Sequence, residues 1–129
     1  MKFGYTILYV PDVAAALEFY EKAFGMTRAF LHESGSFGQL ATGDTALAFC
    51  ADSLLESDFP FEYRKNAVSE KPAGFEVCLL TDDVPAAFQK ATAAGATAMM
   101  EPVQKPWGQT VAYVRDLNGV LVEIATPMG

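Results

Sequence analysis

The sequence predicts an α+β fold built from two βαβββ modules, and three observations lead to this prediction. First, the chain repeats itself, since Asp12-Val13 recurs as Asp83-Val84 at a distance of 71 residues. Such self-similarity indicates a duplicated structural unit. Second, each half begins with an apolar run that ends just before the repeated aspartate. Third, each half ends on a tight-turn pair between apolar runs, Gly43-Asp44 and Asn118-Gly119, which is typical of a β-hairpin.

The order of elements within each half follows from local signals. Asp12 and Asp83 can cap a helix by accepting hydrogen bonds from the free N–H groups of its first turn. Apolar residues then recur at steps of four, three and four from Val13 to Phe24, which predicts an amphipathic helix. Gly25 and Gly95 supply the left-handed residue that ends a helix. The predicted strands lie near 2–10, 27–32, 37–42 and 45–51 in the first half and near 74–80, 97–101, 109–114 and 120–125 in the second.

We interpret residues 1–129 as a single domain of two modules, 1–51 and 74–129, joined by residues 52–73. This connector is too long for a turn. It is also too aromatic for a flexible linker, since it contains Phe59, Phe61 and Tyr63. We expect it to pack as a short helix or a lid.

Composition bounds the possible functions. The net charge of −7 disfavours nucleic-acid partners, because phosphate backbones would be repelled, and it is compatible with cationic or neutral small ligands. No apolar run reaches the roughly 18 residues of a membrane span, so we expect no membrane partner. The N-terminus shows no secretory signal, and we expect a cytoplasmic protein.

The apolar share of 51% exceeds what a chain this small needs for one core, and only 19% of residues are charged. We therefore expect the surplus in a ligand cavity or in the interface of a homodimer. The two cysteines, Cys50 and Cys78, lie in apolar runs, which predicts buried free thiols rather than a disulfide.

The chain resembles the vicinal oxygen chelate superfamily of glyoxalase I, bleomycin resistance proteins and extradiol dioxygenases. The resembling stretches are residues 7–12 leading to 19–26, the Trp107-Gly108-Gln109 segment, and 115–119 leading to 123–124. The resemblance implies two modules whose curved mixed sheets surround a cleft, and it implies dimers in many members. It also implies a divalent metal in the cleft of the enzymes, with ligands from the first and last strands of each module.

Carried over position by position, the metal ligands would be Tyr5, Ala48, Glu76 and Glu123. The second pair matches in chemistry, but Ala48 has no ligating atom and Tyr5 is a poor neutral ligand. The single histidine, His32, precedes a turn and is expected to be exposed. We therefore expect no metal and no other cofactor, as in the metal-free, bleomycin-resistance-like branch, unless a partner chain completes the site.

Glu76 and Glu123 each interrupt an apolar strand and share a face with apolar neighbours, because side chains alternate along a strand. Two interpretations stay open for them: polar positions on a half-exposed sheet, or groups that bind a cation or transfer protons. Trp107, the sole tryptophan, and the matching Phe37 are either packing anchors or stacking surfaces for a ligand. Tyr5 completes the predicted ligand-binding set, with a hydroxyl that can donate a hydrogen bond.

The leading hypothesis is a protein that binds an apolar or aromatic small molecule, cationic or neutral, in a cleft without metal. The alternative is a lyase or isomerase that acts on a carbonyl-containing substrate, with Glu76 and Glu123 as acid–base groups and Tyr5 as donor to the developing oxyanion. The sequence leaves open whether catalysis occurs, which ligand binds, and whether modules pair within or across subunits.

Overall fold

The computed structural model describes residues 1–128 and contains two compact units that divide between Lys65 and Asn66. The division lies inside the predicted connector. The first unit contains β1 (Tyr5–Val10), α1 (Val13–Phe24), β2 (Thr27–Leu31), β3 (Phe37–Ala41), β4 (Ala46–Ala51) and α2 (Asp52–Asp58). The second contains β5 (Glu76–Leu80), α3 (Val84–Ala93), β6 (Thr97–Gln104), β7 (Thr110–Arg115) and β8 (Leu121–Ala125).

Each unit forms one four-stranded mixed sheet of the same topology. The strand order is β1-β4-β3-β2 in the first unit and β5-β8-β7-β6 in the second. In each sheet the first strand pairs in parallel with the last, and the three later strands pair antiparallel. The helix after the first strand makes that parallel return possible, because parallel neighbours need a long crossover. The predicted α+β fold of two βαβββ modules is confirmed.

The helix boundaries follow the predicted capping residues. The Asp12 carboxylate accepts a hydrogen bond from the Ala15 N–H at 3.1 Å, and Asp83 accepts one from Ala86 at the same distance. Gly25 ends α1 with a φ of 67°. The end of α3 differs in detail, because Ala94 in right-handed conformation caps the helix and the positive φ, 111°, falls on Gly95.

One face of each sheet is covered by the helix of its own unit. The predicted α1 stripe is buried at Val13, Leu17 and Tyr20, against strand residues such as Leu8 and Phe49. Helix α1 approaches β3 closely at Gly38, where an added Cβ would lie 2.7 Å from Leu17 Cδ1. In the second unit, Val84 and Ala91 of α3 are buried together with Val114, Val122 and Ile124 of the sheet. Because strand residues alternate between faces, the opposite face of each sheet carries the candidate site residues.

Strand β6 differs from the sequence prediction, whereas the connector contains the expected short helix. Strand β6 continues to Gln104 rather than ending near residue 101, with irregular pairing around Met100. Pro102 lies inside it, and an edge strand tolerates the missing N–H of proline. In the connector, only Asp52–Asp58 forms a helix.

The prediction of two buried thiols is half wrong. Both cysteines are free and Cys50 is buried, but Cys78 is exposed. Cys78 lies on the face of β5 that α3 does not cover, together with Glu76 and Leu80, and all three are exposed. An apolar run in a strand therefore did not imply burial on both faces. Within residues 1–128, the helices are too short or too polar to cross a membrane.

Candidate functional site

Glu76 and Glu123 come together on the open face of the second sheet. They lie on the neighbouring parallel strands β5 and β8, where Cys78 pairs with Glu123 and Glu76 pairs with Leu121. Paired residues of adjacent strands point to the same face, so Glu76 lies diagonally across from Glu123, within reach of a long side chain. Glu76 is exposed and Glu123 half-buried. The structure thus places these two members of the predicted ligand-binding set on one surface, and their binding of a ligand stays a prediction.

Tyr113 joins the carboxylates and was missed in the sequence. It lies on β7 directly opposite Glu123, and its hydroxyl donates a hydrogen bond to Glu76 Oε1 at 3.2 Å. A signal for it was present, because the Asn118-Gly119 turn sets the pairing of β7 with β8 and thereby brings residue 113 opposite residue 123. Glu76, Glu123 and Tyr113, with Cys78 beside them, form what we call the carboxylate cluster.

The two carboxylates influence each other strongly. A hydrogen bond to Glu123, partial burial and the negative charge of Glu123 together raise the pKa of Glu76, while the hydrogen bond from Tyr113 acts in the opposite direction. The physical cause is that two adjacent carboxylates resist double ionisation, so one of them retains a proton more readily. The cluster can therefore exchange a proton for another positive charge.

The phenol and the thiol of the carboxylate cluster stay protonated near neutral pH. Desolvation and the charges of Glu123 and Glu76 raise the pKa of Tyr113 to about 12. Desolvation and the same two charges raise the pKa of Cys78 to about 11. Tyr113 is thus available as a hydrogen-bond donor, and Cys78 is a poor nucleophile because the thiolate is the reactive form.

Tyr5 and Phe37 lie on the open face of the first sheet, but at opposite ends of it. Tyr5 pairs with Ala46 and Phe37 with Cys50, so they are separated by roughly 13 Å along β4. Tyr5 is 62% exposed. Phe37 is half-buried, and its ring lies 6.0 Å from that of Phe30. Both remain predicted ligand contacts.

Trp107 lies at a turn of the second unit and is exposed. Its indole N–H donates to Gln109 Oε1 at 2.9 Å, and Gln109 Nε2 donates to the Thr126 carbonyl at 2.7 Å. It lines an open cavity of about 610 Å³ together with Gly108, Pro127 and Met128. Glu123 does not line that cavity, so contact of one ligand with both residues stays a prediction.

A comparison with protein families decides the classification. The family described as the glyoxalase/bleomycin resistance protein/dioxygenase superfamily matches residues 2–124. The chain belongs to this superfamily. The match covers both units and thus the whole duplicated βαβββ pattern, in agreement with the resemblance seen in the sequence.

Several solved structures share the fold at low sequence identity. A glyoxalase-related enzyme from Fulvimarina pelagi has a TM-score of 0.82 at 20% identity, covering 98% of this chain and 88% of its own. A superfamily enzyme from Burkholderia phytofirmans PsJN has a TM-score of 0.79 at 22% identity, covering 98% of both chains. TioX from Micromonospora sp. ML1 has a TM-score of 0.72 at 22% identity, also covering 98% of both. No curated protein matches the chain significantly.

The residues present do not fit the divalent metal that superfamily enzymes hold. At the four corresponding positions, Ala48 is fully buried and has no donor atom, and Tyr5 offers only a neutral phenol. In the part of the chain that the structure describes, no three His, Cys, Asp or Glu side chains are arranged to hold a metal ion. His32 is exposed, as expected, and its Nδ1 lies 2.7 Å from Ser34 Oγ. We therefore derive no chemistry through a metal.

Proposed function

We propose that this superfamily member binds a small organic cation through the carboxylate cluster, without metal. The observation that carries the proposal is the meeting of Glu76 and Glu123 on an open sheet face, where their proximity raises the pKa of Glu76. A cation placed between the carboxylates would relieve the repulsion that otherwise favours the protonated form of Glu76. A ligand with N–H donors, such as an amidinium or an ammonium group, could in addition donate to both carboxylates.

The surroundings of the carboxylate cluster suit an apolar ligand body. Leu80 follows Glu76 and Cys78 on the same face and is 61% exposed, which provides apolar surface beyond the charged end. The net charge of −7 attracts cations at long range. Tyr5, Phe37 and Trp107 stay ligand contacts predicted from the sequence, and the proposal does not depend on them.

The test is calorimetric titration with benzamidine, an aromatic cation, and with benzamide, its neutral counterpart. We expect Glu76→Gln and Glu123→Gln each to weaken benzamidine binding at least tenfold, as for a lost charge-assisted contact. Glu101→Gln, an exposed glutamate on β6 of the same unit, is the matched control and should bind as the wild type does. Equal affinities for benzamidine in all three variants would contradict the proposal.

The pH dependence gives a second, independent readout. A bound cation favours the ionised form of Glu76 and so expels its proton. Affinity should therefore rise with pH through the raised pKa of Glu76 and then level off. Release of protons during the titration, measured from the dependence of the binding heat on buffer, should disappear in Glu76→Gln.

A lyase or isomerase acting on a carbonyl-containing substrate is the second candidate function. The hydroxyl of Tyr113 beside Glu76 favours it, because an ionised carboxylate could remove a proton from the carbon next to the carbonyl while Tyr113 donates a hydrogen bond to the resulting enolate oxygen. In this geometry Tyr113 places a phenol at the carboxylates. Exchange of that C–H for deuterium in D₂O, lost in both Glu→Gln variants, would support the enzyme.

A further inference from the structure

A second cavity lies in the first unit, where the chain leaves α2. It encloses about 460 Å³ and is lined by residues between Glu56 and Lys65. Its volume falls within the usual range for small-molecule sites. The carboxylate cluster lies on strands of the second unit, so this cavity shares no residue with the site of the proposed function.

Two aromatic side chains, Phe59 and Phe61, line this cavity. Phe59 and Phe61 are 47% and 51% exposed, and their ring centroids lie 5.7 Å apart at an interplanar angle of 38°. Large aromatic side chains half-exposed on a short segment lose the benefit of burial. Aromatic faces carry negative potential and attract cations that contact them.

Three contacts hold Phe59 and Tyr63, on either side of Phe61, against α2 and β1. The Phe59 N–H donates to the Leu55 carbonyl at 3.1 Å and ends the helix. The Tyr63 hydroxyl donates to the buried Asp52 carboxylate, and the Tyr63 ring packs edge-on against Tyr9 at 4.9 Å. Desolvation and the Asp52 carboxylate raise the pKa of Tyr63, so this donor is kept over the physiological pH range.

The charge at the cavity is negative. Lys65 forms an ion pair with Glu56, which leaves Glu62 as the remaining lining carboxylate. Glu62 is exposed, and no ion pair among residues 1–128 engages it. Two neighbouring half-exposed rings, with one carboxylate beside them, match a compact cation that is poorly hydrated and needs no hydrogen-bond acceptor.

We propose that the Phe59–Phe61 cavity is a second binding site, selective for quaternary ammonium groups. The aromatic faces contact the methylated nitrogen and Glu62 supplies the balancing charge. This selectivity differs from that of the carboxylate cluster, because a quaternary nitrogen has no N–H to donate to Glu76 or Glu123. The two sites therefore separate organic cations by whether they are hydrogen-bond donors.

The test compares choline with 3,3-dimethyl-1-butanol, which has nearly the same shape without the charge. Binding is measured by titration calorimetry and by the shifts of the phenylalanine ring protons. We expect choline to bind at least fivefold more tightly than the alcohol, and Phe61→Leu or Phe59→Leu to weaken choline about fivefold. Glu62→Gln should weaken choline while leaving the alcohol unchanged. Phe3→Leu, at another exposed phenylalanine of the same unit, is the control and should change neither.

Several outcomes would overturn the proposal. Equal affinities for choline and the alcohol would show that charge is not recognised, and an unchanged choline affinity in both leucine variants would show that the rings are not the site. A choline affinity that falls in Glu76→Gln instead of Glu62→Gln would place the cation at the carboxylate cluster. Failure of benzamidine to bind, with choline binding intact, would remove the proposed function and leave this second site standing.

Discussion

Replacing Arg115 with methionine should destabilise the second unit far more than an ordinary surface substitution. Arg115 is 8% exposed and its guanidinium donates four hydrogen bonds, each to a backbone carbonyl. Nε donates to Gly119 at 2.9 Å and Nη1 to Val68 at 3.1 Å. Nη2 donates to Ala67 at 3.3 Å and to Glu70 at 2.6 Å. One side chain thus ties the β7–β8 turn to the end of the connector.

The magnitude follows from which carbonyls can return to water. A hydrogen bond with a charged partner contributes about 1.5–3 kcal/mol, so four would give at most about 6–12 kcal/mol if they were additive. The carbonyls at 67, 68 and 70 belong to a surface segment that can detach and become hydrated. The carbonyl of buried Gly119 would lose its partner inside the protein, at about 1–3 kcal/mol. With the loss of the segment's packing, we expect a decrease of about 3–4 kcal/mol in the free energy of unfolding.

The assay is urea denaturation together with native-state hydrogen exchange. Arg115→Met should lose protection at residues 66–70 first, because those residues depend on the guanidinium. Arg64→Met, at an exposed arginine, is the matched control and should stay within about 0.5 kcal/mol of the wild type. If Arg115→Met were as stable as that control, the reasoning that buried carbonyls depend on this guanidinium would be wrong.

Four further predictions concern the β7–β8 turn, the carboxylate cluster, its thiol and the oligomeric state. Gly119→Ala should destabilise by about 2–4 kcal/mol on urea denaturation, because φ is +85° and an added Cβ would lie 2.5 Å from Arg115 Nη2. Glu76→Gln should stabilise the protein at pH 7 and lose that advantage below pH 4, as melting curves across pH would show. Because the pKa of Glu76 is raised, the folded state holds a proton that the unfolded chain releases. The stability of the wild type therefore falls as the pH rises through that pKa. At pH 8, iodoacetamide should modify Cys78 about a hundredfold more slowly than it modifies an unperturbed thiol, because the raised pKa leaves little thiolate. The reaction should be faster in Glu123→Gln than in the wild type, because Glu123 contributes to the raised pKa, and mass spectrometry would detect the difference. Sedimentation equilibrium at micromolar concentration should give twice 13.9 kDa, and a species of 13.9 kDa alone would contradict the predicted homodimer.

Much of the fold could be predicted because its signals are local in the sequence. Asp12 and Asp83 cap their helices by bonding to N–H groups three residues away, and Gly25 ends α1 through its own backbone conformation. The apolar stripe of α1 requires only helical periodicity. Because the chain is duplicated, the elements predicted for one half also predicted the same elements for the other half.

The sequence predictions that the structure corrected concern features that depend on which elements pack together and on which strands lie at a sheet edge. The extension of β6 past Pro102 depends on that strand lying at the edge of its sheet, where a missing N–H is tolerated. The exposure of Cys78 depends on which face of β5 the helix α3 covers. Neither property is encoded within a short window of residues.

The sequence by itself determined the superfamily, the two βαβββ modules, the helix ends and the presence of glutamates at positions 76 and 123, because each rests on residue type and spacing. Only the tertiary structure decided what surrounds those glutamates. Strand pairing brings Glu76, Glu123 and the hydroxyl of Tyr113 together across as many as 47 residues of chain. The interaction of two carboxylates falls steeply with distance, so the pKa of Glu76 is raised only once β5 and β8 have paired.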